Sequence, residues 1–192
     1  MTSMIPIQLT RYLGAHHVEG SGEGHRVGAP ICSKPNEGRR PMANVVKKHS
    51  ISSELAQRMV NAAVAKAREL GVCENVAILD DGGNLKAFDR MDGAPILSIE
   101  MAQNKAYTAL FGVSTQDFFN FIQGDPSLLA GIPTLAHVAA WGGGFPIKVN
   151  GEVVGAIGLS GAPTVQNDID CARAALALVD GGKGARQNDT SR

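Results

Sequence analysis

Cysteine is scarce in this chain of 192 residues: Cys32, Cys73 and Cys171 are the only three, and none forms a C-x-x-C pair. That excludes a disulfide framework and a thiolate metal cluster. Aromatic residues are few as well, 5% of the chain, with a single tryptophan. Net charge is lacking: 18 Lys+Arg balance 18 Asp+Glu, so no global field recruits nucleic acid or an anionic membrane. No apolar run approaches the roughly 20 residues of a membrane span. The N-terminus, M-T-S-M-I-P-I-Q-L-T-R, has neither the basic n-region nor the apolar h-region of a secretory signal, so a cytoplasmic location is expected.

What is present centres on Trp141 to Ala162, W-G-G-G-F-P-I-K-V-N-G-E-V-V-G-A-I-G-L-S-G-A. Asn150-Gly151 lies between two apolar runs, Phe145 to Val149 and Glu152 to Ser160. A type I′ turn needs positive φ at both central residues, so Asn-Gly predicts a hairpin here. Gly155, Gly158 and Gly161 recur along the return strand. Glycine inside a strand marks close backbone approach, here expected from the last helix or a neighbouring subunit. The spaced glycines do not open a helix, which argues against a phosphate cradle.

The rest of the chain reads as helices around hairpins. Residues 1–48 carry no sustained period and are expected to form a poorly ordered extension, followed by a domain over 49–180 and a polar tail over 181–192. His16, His17, His25 and Cys32 in that extension do not define a metal site, and no metal is expected. Ser52 or Ser53 caps a helix ending at Gly71. Asp81-Gly82 predicts a second hairpin, Val76–Asp80 with Asn84–Arg90, where the aspartates favour the turn. A helix over Pro95–Phe111 carries Lys105 on one face with Ser98, Met101 and Thr108, where lysine is ordinarily solvated. Ser114 and Asp117 start a short helix whose Phe118, Phe119 and Phe121 form either the core or the wall of an apolar cavity, and the sequence alone favours the core. His137, in the apolar run L-A-H-V-A-A-W, reads as a core histidine on a strand. Thr164 or Asn167 starts the last helix, with Asp168 in its first turn. Strands arranged in hairpins predict an α+β fold with helices packed on an antiparallel sheet.

V-A-I-L-D-D-G-G-N-L-K-A-F-D-R-M-D-G-A, N-K-A-Y-T-A, G-G-G-F-P-I and V-V-G-A-I-G-L-S-G-A followed by D-x-D-x-x-x-A occur in this order. Together they resemble the GlcG/HbpS-like family, also called haem-degrading and including the C-terminal domain of PduO-type proteins. The resemblance covers about Ser50 to Val179. It implies a profilin-like sandwich with a five-stranded antiparallel sheet, assembled as a homo-oligomer. Some members of the family bind haem, whereas others are encoded in catabolic operons without a settled activity.

Two functions follow from that resemblance. In the first, the protein binds a small molecule, haem or another tetrapyrrole. Arg90 or Lys105 would hold its propionates, His49 and His137 are candidate axial ligands, and Gly143 and Gly144 would offer backbone donors. In the second, an accessory catabolic enzyme acts on a small carboxylate or an aromatic ring-cleavage metabolite. Lys105 or Asp80 would then move the proton, Arg90 would hold the carboxylate, and Gly142 to Gly144 would stabilise developing charge. No nucleophile–base pair at a diagnostic spacing decides between them.

Overall fold

A computed structural model of the chain describes residues 44–180, and the fold is that of the unit beginning at Val45. His16, His17, His25 and Cys32, most of the 1–48 extension and the 181–192 tail lie outside the described residues. Helix α1, Ser53–Leu70, begins where the Ser52 hydroxyl accepts from the Leu55 N–H (3.2 Å) and ends at Gly71, φ 68°. Strands β1 (Asn75–Asp80) and β2 (Leu85–Arg90) form the first hairpin. Helices α2 (Leu97–Ala109), α3 (Thr115–Ile122) and α4 (Pro126–Gly131) follow, and a 3₁₀ turn, Ile132–Thr134, ends that run. Strands β3 (Gly144–Val149) and β4 (Glu152–Ser160) form the second hairpin, and α5 (Val165–Asp180) closes the described chain. Asn150 and Gly151 both have positive φ, 52° and 83°, as the turn chemistry requires. Among the described residues, no helix is long and apolar enough to cross a membrane.

Among the described residues four strands pair antiparallel in the order β2-β1-β4-β3, so the α+β expectation holds, with four strands there and not five. Two local features explain the difference. Ahead of α1, the chain makes one sheet-like bond, from the Ile51 N–H to the Val154 carbonyl (2.8 Å), where β1 has already ended opposite Gly155. Between the 3₁₀ turn and β3, His137 takes φ 64°, which breaks any extended run through L-A-H-V-A-A-W.

Side chains alternate across the sheet with a period of two. Val76, Ile78, Ile157 and Leu159 face α1 and α5, where they pack with Met59, Val60, Cys171 and Ala175. Leu79 and Ala156 face the other way and pack with Ala106 and Ala109 of α2. Gly158 lies on that second face. A β-carbon there would overlap the Ala102 carbonyl oxygen and the Ala106 nitrogen. The expected close approach is therefore present, but it is made by α2, not by the last helix. At the sheet edge, Pro146 of β3 stands opposite Ala156 of β4.

Candidate functional site

The C-terminal half of α2, together with α3, α4 and the 3₁₀ turn, encloses a groove of about 580 Å³. Its walls are apolar: Tyr107, Phe111, Phe118, Phe121, Ile122 and Leu135 contribute. The α3 sequence explains the geometry. The Ser114 hydroxyl caps the helix by accepting from the Asp117 N–H (3.1 Å) and donates to the Asp117 carboxylate (2.6 Å). With the start fixed, Phe118 and Ile122 share a buried stripe while Phe121 remains 64% exposed in the groove. Phe118 meets the core expectation, Phe119 is half-buried, and Phe121 does not meet it. Phe111 stacks edge-to-face on Phe118 at 5.5 Å and is itself 66% exposed. Two exposed phenylalanines thus share one apolar concavity.

Two smaller recesses adjoin the groove through shared residues. Tyr107 is common to the groove and a recess of about 380 Å³ that contains His137, Glu100, Gln103 and Asn104. The His137 ring meets Tyr107 edge-to-face at 6.0 Å and is exposed, unlike a core histidine. Asp81 and Leu110 are common to the groove and a recess of about 240 Å³ that contains Lys48, His49 and Glu152. His49 Nδ1 lies 2.6 Å from Glu152 Oε2, and this hydrogen bond holds the Glu152 carboxyl below its ordinary range. Lys48 Nζ is 3.8 Å from Asp81. The two candidate imidazoles thus belong to recesses that join the groove at different residues.

Asp80, Arg90 and Lys105 do not meet at one point. Asp80 Oδ1 accepts from the N–H groups of Gly82 and Asn84, both at 2.9 Å, and so shapes the β1–β2 turn. Burial acts to raise its pKa, but these bonds outweigh burial and hold it below the ordinary value. Arg90 pairs with Asn75, at the far end of β1 from Asp80, and its Nε donates to the Ala94 carbonyl (3.4 Å). The Gly144 N–H donates to Thr115 Oγ1 (3.0 Å), and the Gly143 carbonyl accepts from Leu159 (3.0 Å). Gly142, Gly143 and Gly144 are all buried.

Lys105 corrects the solvated reading. It is fully buried, and its Nζ donates to Asp168 Oδ2 at 2.5 Å and to the Leu159 carbonyl at 2.8 Å, with the Trp141 ring centroid 5.7 Å away. A third ionisable group, Glu74, is buried beside this pair with 0% exposure. Neither Glu74 oxygen nor Asp168 Oδ1 has a hydrogen-bond partner when both groups are carboxylates. Burial and the charge of Asp168 push the Glu74 carboxyl up to about 8. Burial raises Asp168 also, against the pull of Lys105. Sequence reading passed over Glu74 and placed Asp168 only at a helix start. A signal existed: Asp168 lies in line with buried Cys171, Ala172 and Ala175, and Lys105 with Ala102 and Ala109.

The architecture is an α+β layer with an apolar groove on its α2 side. The chain belongs to the HbpS-like family, described as haem-degrading, whose model matches residues 51–177. An uncharacterised 15.0 kDa protein from the dhaT-dhaS intergenic region of Citrobacter freundii is 36% identical over 129 residues, 66% of this chain and 90% of its own. The crystal structure of the Klebsiella pneumoniae protein ORFY is similar with a TM-score of 0.68 and 31% identity, covering 73% of this chain and 98% of that one. That of a PduOC:haem complex is similar with a TM-score of 0.62 and 28% identity, covering 68% and 96%.

Proposed function

We propose that the groove between α2, α3 and α4 binds a flat, largely apolar ligand of the haem or tetrapyrrole class. The observation that carries this reading is an apolar concavity of about 580 Å³ joined to recesses that hold the imidazoles of His137 and His49. Ligand pockets of a few hundred Å³ bury most of a compact ligand, and imidazole is a common haem donor. His49 uses Nδ1 on Glu152, so its Nε2 is the nitrogen that would face a metal. The haem complex of a similar protein supports the same ligand class. Lys105 is enclosed with Asp168 and Arg90 lies toward the other end of β1, so Lys48 is the cation nearest to hand for a propionate. The enzyme alternative draws no support from the separate placements of Asp80, Arg90 and Lys105. A homo-oligomer belongs to the same proposal, covering Ile96 and Leu97, which are 74% and 65% exposed.

Titration of the purified protein with haemin tests the reading. A shifted Soret band is expected, and His137→Ala with His49→Ala should move the band and weaken binding at least about tenfold, or 1.4 kcal/mol. Phe121→Asp, which charges an exposed groove wall, should weaken it comparably without affecting folding. An unshifted Soret band, or binding indifferent to all three substitutions, overturns the assignment. Light scattering on the same samples reads the assembly; a monomer with and without haemin overturns that part.

A further inference from the structure

The buried group of Glu74, Asp168 and Lys105 has no part in the groove and no cavity of its own among those described, yet it brings three ionisable side chains together from α2, α5 and the loop ahead of β1. Their exposures are 0%, 4% and 0%. With both carboxyls charged, the group carries two negative charges against one ammonium. It also leaves three oxygens, Glu74 Oε1, Glu74 Oε2 and Asp168 Oδ1, without a donor. A buried oxygen without a donor loses its hydration and gains nothing in return. A single added proton neutralises the group and turns one Glu74 oxygen into a donor toward Asp168 Oδ1, which pairs two of the three oxygens. Lys105 gives two of its three ammonium hydrogens to Asp168 Oδ2 and the Leu159 carbonyl and makes no bond to Glu74.

We propose that Glu74 and Asp168 hold one proton between them at neutral pH, as a pH-responsive latch beneath the Trp141–Gly144 segment. The segment rests directly on the group. A β-carbon at Gly143 would come 2.8 Å from Lys105 Nζ and 2.9 Å from Asp168 Cβ, so the backbone there follows the position of both side chains. Trp141 lies over the same ammonium at 5.7 Å. The neighbours that face Glu74 are Asp168 and Cys171 on α5 and Lys105 on α2, with Asp170 of α5 and Lys66 of α1 acting on Cys171. Arg90 of β2 pairs against Asn75 but directs its Nε to the Ala94 carbonyl. Burial and the charge of Asp168 favour the proton, and Lys105 opposes it.

The latch has a definite pH signature. Glu74 has an ordinary value of 4.5 in the unfolded chain and about 8 in the fold. Between those values the fold binds the proton and the unfolded chain does not, so stability falls as pH rises. Below that window both states are protonated and the contribution is complete; above it the contribution is gone. The folding equilibrium should weaken about tenfold per pH unit across the window and level off above it.

Trp141 is the one tryptophan of the chain and reports on the segment directly. Its fluorescence should titrate in the wild type with a midpoint near 8 and lose that midpoint in Glu74→Gln, whose amide still donates to Asp168 but binds no proton. The melting temperature of Glu74→Gln should likewise lose the part of its pH dependence that the proton supplies. No fluorescence transition in the wild type, or the same transition in Glu74→Gln, overturns the proposal. Should Glu74→Gln fail to fold, infrared spectra of the wild type decide. A protonated-carboxyl band is expected at about pH 7, where exposed carboxyls are ionised, and should fade by about pH 10; its absence at pH 7 overturns the proposal equally.

Discussion

Replacing Lys105 by methionine is expected to destabilise the domain by about 3–5 kcal/mol, the usual result of leaving one buried charge without its partner. Asp168 would keep its burial and lose its ammonium, and the Leu159 carbonyl would lose its donor. Because burial already favours protonated Asp168, the loss should shrink as pH falls and the carboxyl takes up a proton. The pair itself is worth less than its disruption suggests. A chain carrying Lys105→Met and Asp168→Leu together should recover about 2 kcal/mol of the loss, since an apolar pair of similar volume can replace a buried ion pair. Urea unfolding of the four chains of this cycle measures both quantities. Additive single substitutions would show that the two side chains do not act together.

Gly158→Val should leave little or no folded protein. The β-carbon alone overlaps main-chain atoms of Ala102 and Ala106, and main chain inside a helix cannot swing aside. Ala102, Ala106 and Ala109 are fully buried, so α2 has no longer side chain to shorten in compensation. Even Gly158→Ala should cost about 3 kcal/mol, the upper range for overpacking, and the branched valine more than that. A domain of ordinary stability has about 5–15 kcal/mol to lose. Gly131→Ala is the matched control, because nothing lies within 4 Å of a β-carbon at that helical position. It should be neutral or stabilising by about 0.4–1 kcal/mol. Thermal unfolding and soluble yield read the contrast; equal melting temperatures for Gly158→Ala and wild type would mean that α2 does not sit on that glycine.

Much of the fold could be read locally, because its signals are local. Asn150-Gly151 sets a turn whatever surrounds it, Ser52 and Gly71 bracket α1 by their own backbone chemistry, and Ser114 with Asp117 starts α3. What could not be read depends on partners far along the chain. Spaced glycines announce that something approaches β4, but α2 and α5 are both rich in alanine, and only tertiary packing selects α2. Lysine at position 105 looks solvated until Asp168, 63 residues later, is brought against it. Of the candidate site residues, His49 and His137 fall in recesses beside the groove, whereas Asp80 and Arg90 fall at opposite ends of β1. The groove itself was hidden because the phenylalanines of α3 divide between its wall and the core, and helical period alone does not say which side receives a ligand.

Pro146 has a consequence for how these molecules meet one another. The Leu159 N–H donates to the Gly143 carbonyl, so along this antiparallel ladder the bonded pairs are Gly143 with Leu159 and Phe145 with Ile157. Pro146 therefore falls at the alternate position, with its nitrogen pointing outward from the sheet, where an ordinary residue would present a free donor. A strand arriving from another molecule would find that donor missing midway along β3. The fold thus carries its own guard against growth of the sheet from molecule to molecule at this border.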